Sequence, residues 1–325
     1  MVQIERSQSK RPSLTIVMPC YNEEGVLIKS IPVVLHQLEL LIEGNKITNE
    51  SQILLVDDGS KDRTWLEIES LAEQYHMIKG LKLARNFGHQ NAVYAGMMFV
   101  LHTLKSEACI SMDCDLQDDP AIIPLMLEEY LNGKDIVYGV RNSRQKDSLA
   151  KKFFARRYYQ LLQFLKIDII RDHADYRLLS NTALNALSNF KESSLFLRGI
   201  VPLIGYRSSI VHYERDKRIS GYSKYDIPRM VRLAINGICS FSSAPLIFIL
   251  WLGIVVSMLA MGLGVWALGV KLLSGEAISG WASIVVPMYF LGGIQLFTLG
   301  VMGIYLSKIF DEVKNRPKYI IEREL

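Results

Sequence analysis

Two stretches of this sequence contain no Asp, Glu, Lys, Arg or His: residues 233–270 and 277–307. At 1.5 Å per helical residue, each can cross a hydrocarbon core of about 30 Å. The most apolar parts, 245–270 and 281–307, predict two transmembrane helices joined by a short loop at 271–280. Arg229 and Arg232 precede the first span, and Lys308, Lys314, Arg316 and Lys318 follow the second. Positive flanks stay on the cytoplasmic side, so the pair should form a hairpin with both ends inside. Gly262, Gly264, Gly292, Gly293, Gly300 and Gly303 would permit close helix contact, and with it a homo-oligomer. Residues 1–13 are polar and basic rather than apolar, which does not suit a secretory signal.

The remainder is long enough to build its own core, since the chain has 325 residues and is 50% hydrophobic. From Leu14 onward, short β-rich runs alternate with longer helical ones, the pattern of a parallel sheet covered by helices. Strands are predicted at 14–19, 52–57, 78–84, 108–113 and 135–140, with helices at 24–42, 62–75, 89–104 and 120–132. Strands this continuously apolar are buried on both faces, and ligands of such sheets bind beyond the strand carboxyl ends. The cysteines Cys20, Cys109, Cys114 and Cys239 form no Cys-x-x-Cys pair and read as reduced thiols.

After Val140 the composition changes. Residues 141–177 hold ten Lys or Arg against four Asp, interleaved with Phe153, Phe154, Tyr158, Leu161, Leu162 and Leu165 at near-helical spacing. A helix lying on an anionic membrane surface has this composition, and so does an amphipathic helix packed on its own domain. A second such segment, 225–243, leads into the first span. The chain therefore divides into a tail (1–13), an α/β catalytic domain (14–224) that includes the basic segment 141–177, an interfacial helix (225–243), the hairpin (244–309) and a cytoplasmic tail (310–325). Basic residues cluster beside the membrane segments, not around a base-stacking platform, which argues against nucleic-acid binding.

The loops after the strands carry the chemistry. The fourth strand ends in Asp113-Cys114-Asp115-Leu116-Gln117-Asp118-Asp119-Pro120. Carboxylates at i and i+2 in chain leaving a strand can both turn to one diphosphate-bound Mg²⁺ or Mn²⁺, with Gln117 as a further oxygen ligand. Such a cation offsets charge on a departing diphosphate. The first strand ends in Pro19-Cys20-Tyr21-Asn22-Glu23-Glu24 and the second in Asp57-Asp58-Gly59-Ser60. Tyr21 can stack on a base, Glu23 can accept from a ribose or base group, and Asp58 can accept from an imide N–H. Each motif alone is ordinary; at three strand ends of one sheet they converge on one crevice.

Together PCYNEE, VDDGSKD, ARNFGHQNAVYAG and DCDLQDDP resemble glycosyltransferase family 2, most of all its polyisoprenyl-phosphate glycosyltransferases. The resemblance implies a Rossmann-like GT-A fold and an inverting sugar transfer, with Asp113, Asp115 and Gln117 at the metal. It places Pro19, Tyr21, Asn22, Glu23 and Asp58 at the nucleotide-sugar and Arg85 near the donor phosphates or the sugar. Asp172-His173-Ala174-Asp175-Tyr176-Arg177 is similar to the family segment that supplies an acid and an arginine, so Asp175 becomes the candidate base and Arg177 its support. A phosphate monoester with a second pKa of about 6 hardly needs a base, however, and Asp175 could instead orient sugar hydroxyls or arginines.

Arg141, Arg144, Arg218, Ser223 and Lys224 suit an acceptor phosphate dianion near the membrane, the last three in the family's pattern of a basic residue, a glycine-containing stretch and Ser-Lys. The likeness to the bacterial glucosyl group favours UDP-glucose as donor and undecaprenyl phosphate as acceptor, at the inner (plasma) membrane. N-acetylglucosamine, galactose and mannose remain alternatives. A processive polysaccharide synthase would need a translocation channel and a Gln-x-x-Arg-Trp motif, and no Trp follows an Arg here. A nucleotide-sensing scaffold would have no use for the acidic and basic sets.

Overall fold

A computed structural model of the chain describes residues 11–141, 173–192, 195–214, 244–274 and 281–325. The basic segment 142–172, Arg144, Arg218, Ser223, Lys224, the segment 225–243, Cys239 and the loop 275–280 lie outside the described residues, as does the side chain of Arg141.

The five strands expected from the apolar runs are present as β1 (Leu14–Cys20), β2 (Gln52–Asp57), β3 (Ile78–Leu83), β4 (Ala108–Ser111) and β5 (Ile136–Arg141). Three more join them: β6 (His173–Ser180), β7 (Ser208–Tyr213) and β8 (Ile321–Glu324). The sheet order is β7-β5-β6-β4-β1-β2-β3-β8. The run β4-β1-β2-β3 is parallel, β6 is antiparallel to both β4 and β5, and β8 closes the β3 edge in antiparallel sense. This mixed sheet is the GT-A arrangement.

Helix α1 (Leu27–Glu43) turns Leu27, Ile31, Val34, Leu35, Leu38 and Leu41 onto the sheet, a stripe at i, i+4, i+7 spacing. The helix α2 spans Thr64–Gln74, α3 His89–Phe99 and α4 Ile123–Leu131. Gly96 lets α3 lie close on the strands, because a Cβ there would stand 2.4 Å from Val17 Cγ1 and 2.9 Å from Val56 Cγ2. Expected to run to residue 104, α3 instead ends in a wide π-type turn, Val100–Leu104, closed by Lys105 at φ 55°. Two short helices follow β6: α5 (Asn181–Ser188), capped by the Ser180 hydroxyl accepting from Ala183 N, and α6 (Leu197–Leu203).

The chain forms two compact units, one holding the sheet and the residues from Arg316 onward, the other the apolar helices. In the second, α7 (Ala244–Ser274) and α8 (Trp281–Lys314) are long and apolar enough to cross a membrane. Both outrun the apolar windows that predict them, and α8 continues through Lys308, Asp311, Glu312 and Lys314.

The C-terminal residues, read from sequence as a tail, add a strand to the catalytic sheet. Ala84 N donates to Ile320 O and Leu325 N to Gly80 O, both at 2.9 Å. Lys318 Nζ donates to Phe190 O at 2.7 Å and lies over the Tyr94 ring. A four-residue run bearing Glu322, Arg323 and Glu324 carries no apolar alternation, which hid it as a strand.

Candidate active site

The carboxyl ends of β1, β2, β3, β4, β5 and β7 and the amino end of β6 lie along one edge of the sheet, as their registers require. Every described residue proposed for chemistry comes from this edge or from the N terminus of α3.

The β1 and β2 loops are stitched together. Asn22, at φ 52°, accepts from Lys61 N through Oδ1 at 2.9 Å and donates its own N–H to Ser60 Oγ at 3.0 Å. Thr64 Oγ1 accepts from Glu23 N. Tyr21 is left exposed. Beside it, Asp58 is buried and accepts from Phe87 N at 2.7 Å and Gly88 N at 2.9 Å. Burial raises its pKa, against the opposing effect of those two amides. The carboxylate therefore fixes the loop that leads into α3, and its oxygens still have lone pairs for a base. Arg85, on that loop, is exposed and stacks on Phe87 with its guanidinium carbon 4.4 Å from the ring centre.

After β4 the chain bends sharply, with Leu116 at φ 52°. This left-handed conformation is uncommon for a branched side chain and costs of order 1–3 kcal/mol, a strain typical of functional turns. It folds Asp115 back so that its two oxygens accept from Gln117 N at 3.1 Å and Gln117 Nε2 at 2.7 Å. Asp113 stands 3.6 Å from His89 Nε2. Its carboxyl is pushed up to about 6 by burial and by Asp118, Asp175 and Asp115, against the opposing pull of His89.

Asp175 is the hub of the site. It is 6% exposed and receives Arg177 Nη2 at 2.5 Å, Arg198 Nε and Nη2 at 3.2 and 3.0 Å, and Gln90 Nε2 at 3.0 Å. His89 Nε2 lies 3.4 Å away. Burial alone would raise its pKa, but His89, Arg177 and Arg198 hold the carboxyl well below the usual carboxylate range. Arg177 is 0% exposed and also donates to Leu197 O at 3.1 Å. Gln90 ties the cluster to α6 by accepting from Leu197 N at 3.1 Å. For His89, burial works against charge, yet the Asp175 bond and the Asp113 charge outweigh it and raise its pKa.

The structure thus gathers Tyr21, Asn22, Glu23, Asp58, Arg85, Asp113, Asp115, Gln117, Asp175 and Arg177 along one sheet edge. It adds three residues to which the sequence reading gave no role in the site: His89, Gln90 and Arg198. The first two lie inside the Asn86-Phe87-Gly88-His89-Gln90 motif. Arg198 had one signal, a lone cation within the apolar run Leu195-Phe196-Leu197-Arg198-Gly199-Ile200-Val201.

A parallel run of strands that opens at its carboxyl edge on an Asp-x-Asp turn, with antiparallel strands beside it, is the architecture of GT-A glycosyltransferases. Sequence comparison narrows this. Residues 15–187 match the model for "Glycosyl transferase family 2". The "Uncharacterized glycosyltransferase YkoT" of Bacillus subtilis (strain 168) is 45% identical over 320 residues, which cover 98% of this chain and 94% of that protein. A Synechocystis protein, "Uncharacterized glycosyltransferase sll0501", is 35% identical over 95% of this chain and 94% of its own. The "SfII prophage-derived bactoprenol glucosyl transferase" of Shigella flexneri is 34% identical over 95% of this chain and 97% of its own. The chain belongs to glycosyl transferase family 2 and is an inverting glycosyltransferase.

Proposed function

We propose that this enzyme transfers a single sugar, glucose from UDP-glucose, onto the phosphate of a polyisoprenyl lipid such as undecaprenyl phosphate. The reaction takes place at the cytoplasmic face of the inner membrane and yields a lipid-linked sugar for cell-envelope glycosylation. The observation that carries this reading is one chain holding both a GT-A site and two helices long enough to span a bilayer. The alignment with the Shigella flexneri bactoprenol enzyme covers nearly all of both chains, so it takes in the hairpin as well as the catalytic domain.

Asp113, Asp115 and Gln117 would hold Mg²⁺ or Mn²⁺. The donor set fits a hard cation: all oxygen, with the Asp113 carboxylate disfavoured by burial and by the carboxylates beside it. Among the described residues no three His, Cys, Asp or Glu side chains form a ready metal cage. That suits a cation held by one or two carboxylates and completed by phosphate oxygens and water. When bound, the cation would neutralise charge on the departing diphosphate.

Asp175 serves in this account as an anchor for Arg177 and Arg198 and not as a proton acceptor. Its pKa is depressed, and an acceptor phosphate with a second pKa of about 6 is already largely ionised at neutral pH. Arg177, fully buried, acts on Asp175 rather than on substrate. Arg198 and His89, each with a side chain 44% exposed, are the members of the cluster that solvent and substrate can reach. Arg141, Arg144, Arg218, Ser223 and Lys224 remain the proposed ligands of the lipid phosphate, and the glycine faces of α7 and α8 the proposed contacts between copies.

Asp115→Asn keeps an oxygen for Gln117 N and should fold normally, while transfer falls by at least about 10²–10³-fold, as when one preorganised electrostatic stabiliser is lost. Near-normal turnover of a folded Asp115→Asn protein in excess Mn²⁺ would remove Asp115 from the metal. For the hairpin, single cysteines placed in the loop 275–280 should react with an impermeant thiol reagent only from the periplasmic side of sealed vesicles. Reaction from the cytoplasmic side alone would invert the topology.

A further inference from the structure

The metal turn is held from beneath by two tyrosines that the site as described so far does not use. Asp118, one residue beyond Gln117, is 1% exposed, and a carboxyl at that depth requires hydrogen bonds. The Tyr213 hydroxyl donates to Asp118 Oδ1. Tyr213 is itself buried at the end of β7, and its ring stands edge-on to Tyr176 of β6, with centroids 5.6 Å apart at 81°. The Tyr176 hydroxyl in turn donates to the carbonyl oxygen of Asp119 at 3.1 Å. Two consecutive residues at the far end of the Asp113–Gln117 turn are thus each fixed by a tyrosine from a different strand. Those strands are not neighbours, since β5 lies between them.

The strained Leu116 gives this anchorage its purpose. A turn forced through φ 52° persists only where its surroundings over-determine it; its near end continues β4, with Met112 N donating to Val17 O, and its far end is taken up by the two tyrosines. Tyr213 also pairs in register with Arg141, the first residue proposed for the acceptor phosphate, and the chain just beyond it carries Arg218, Ser223 and Lys224. The end of β7, from which the segment carrying Arg218, Ser223 and Lys224 departs, therefore also fixes the metal turn.

We propose that the Tyr213 hydroxyl is a positioning group for metal binding: through Asp118 it holds the Asp113–Gln117 turn in ligating shape and ties that turn to β7, the strand that leads into the segment carrying Arg218, Ser223 and Lys224. This rests on the assignment of Asp113, Asp115 and Gln117 to the metal. The full-length protein in detergent is titrated with Mn²⁺ in saturating UDP, and free Mn²⁺ is followed by its paramagnetic resonance signal, with no turnover involved.

Tyr213→Phe keeps the ring against Tyr176 and removes only the hydroxyl. It should weaken Mn²⁺ binding about tenfold, the scale of one lost buried hydrogen bond. Asp118→Ala should match it, the double variant should be no weaker than either single one, and Asp118→Asn, which keeps an accepting oxygen, should bind nearly as the parent does. Thr15→Val is the control. It removes another buried hydroxyl contact of the same sheet, to Ser106 Oγ at 2.7 Å, and should lower thermal stability without changing Mn²⁺ binding. Parent-like Mn²⁺ binding by Tyr213→Phe, or an equal loss in Thr15→Val, overturns the proposal while leaving the metal assignment intact. A parent protein that binds no Mn²⁺ with UDP overturns the metal assignment, and the proposal with it.

Discussion

Asp175→Asn is expected to unfold more readily than the parent by about 3–5 kcal/mol at neutral pH, the cost of breaking a buried ion pair from one side. Arg177 is fully buried, and its charge is balanced by Asp175 at 2.5 Å. An asparagine there would leave that guanidinium without a counter-charge, and its single accepting oxygen could keep only one of the two bonds from Arg198. The pH dependence follows from the depressed pKa. A carboxyl held below its unfolded value, about 3.9, stabilises the fold fully above that value and loses the effect only as pH falls through the folded pKa. The gap between parent and variant in urea unfolding should therefore widen as pH falls through the raised pKa of His89, whose charge Asp175 stabilises, and narrow only in strong acid as Asp175 itself is protonated. A catalytic base would behave otherwise. If Asp175→Asn were as stable as the parent but had lost turnover with an acid-side pH limb, the general-base role would stand and the anchoring role would fall.

Gly59→Ala should disable nucleotide-sugar binding, although residue 59 need not touch the ligand. Gly59 sits at φ +65°, and an added Cβ would lie 2.4 Å from the Arg85 carbonyl carbon and 2.6 Å from Asn86 N. Both are backbone atoms, so no side-chain rotation relieves the overlap. The left-handed conformation costs roughly 1–3 kcal/mol for a residue with a Cβ, and overpacking of this kind adds about 1–3 kcal/mol. The loop that would have to move carries Arg85, and its next turn, held by Asp58 through Phe87 N and Gly88 N, leads into His89 and Gln90. Calorimetric titration with UDP should show at least a tenfold weaker Kd together with a lower melting temperature. Unchanged UDP affinity would mean that this loop is not part of the donor site.

The apolar strands were the most legible part of the fold, because β2 reads Ile-Leu-Leu-Val without interruption and is buried on both faces. Strands β6 and β7 were missed for opposite reasons. His173–Ser180 mixes Asp175 and Arg177 into its buried face, so the residues that make the site hide the strand that carries them. Ser208–Tyr213 is a sheet edge with only Val211 and Tyr213 buried, too little alternation to register. Motif spacing located Asp113, Asp115, Asp58 and Tyr21, because local chain geometry sets where a residue after a strand lies. What it could not supply was the partner of each side chain. The convergence of Gln90, Arg177 and Arg198 on Asp175 joins residues up to 108 positions apart in the sequence, from Gln90 to Arg198, and depends on tertiary packing.

Sugar transfer from a nucleotide to a lipid phosphate is tested most directly by its product. Purified protein in detergent, given Mn²⁺, undecaprenyl phosphate and in turn UDP-glucose, UDP-N-acetylglucosamine, UDP-galactose and GDP-mannose, should yield one product by mass spectrometry. That product is undecaprenyl phosphate carrying a single hexose, formed from UDP-glucose, absent without the lipid and absent with Asp115→Asn. A product from another donor would correct the sugar while leaving the reaction standing. A polymer made without lipid phosphate, or no glycolipid from any donor with a protein that binds UDP and Mn²⁺, would contradict the account.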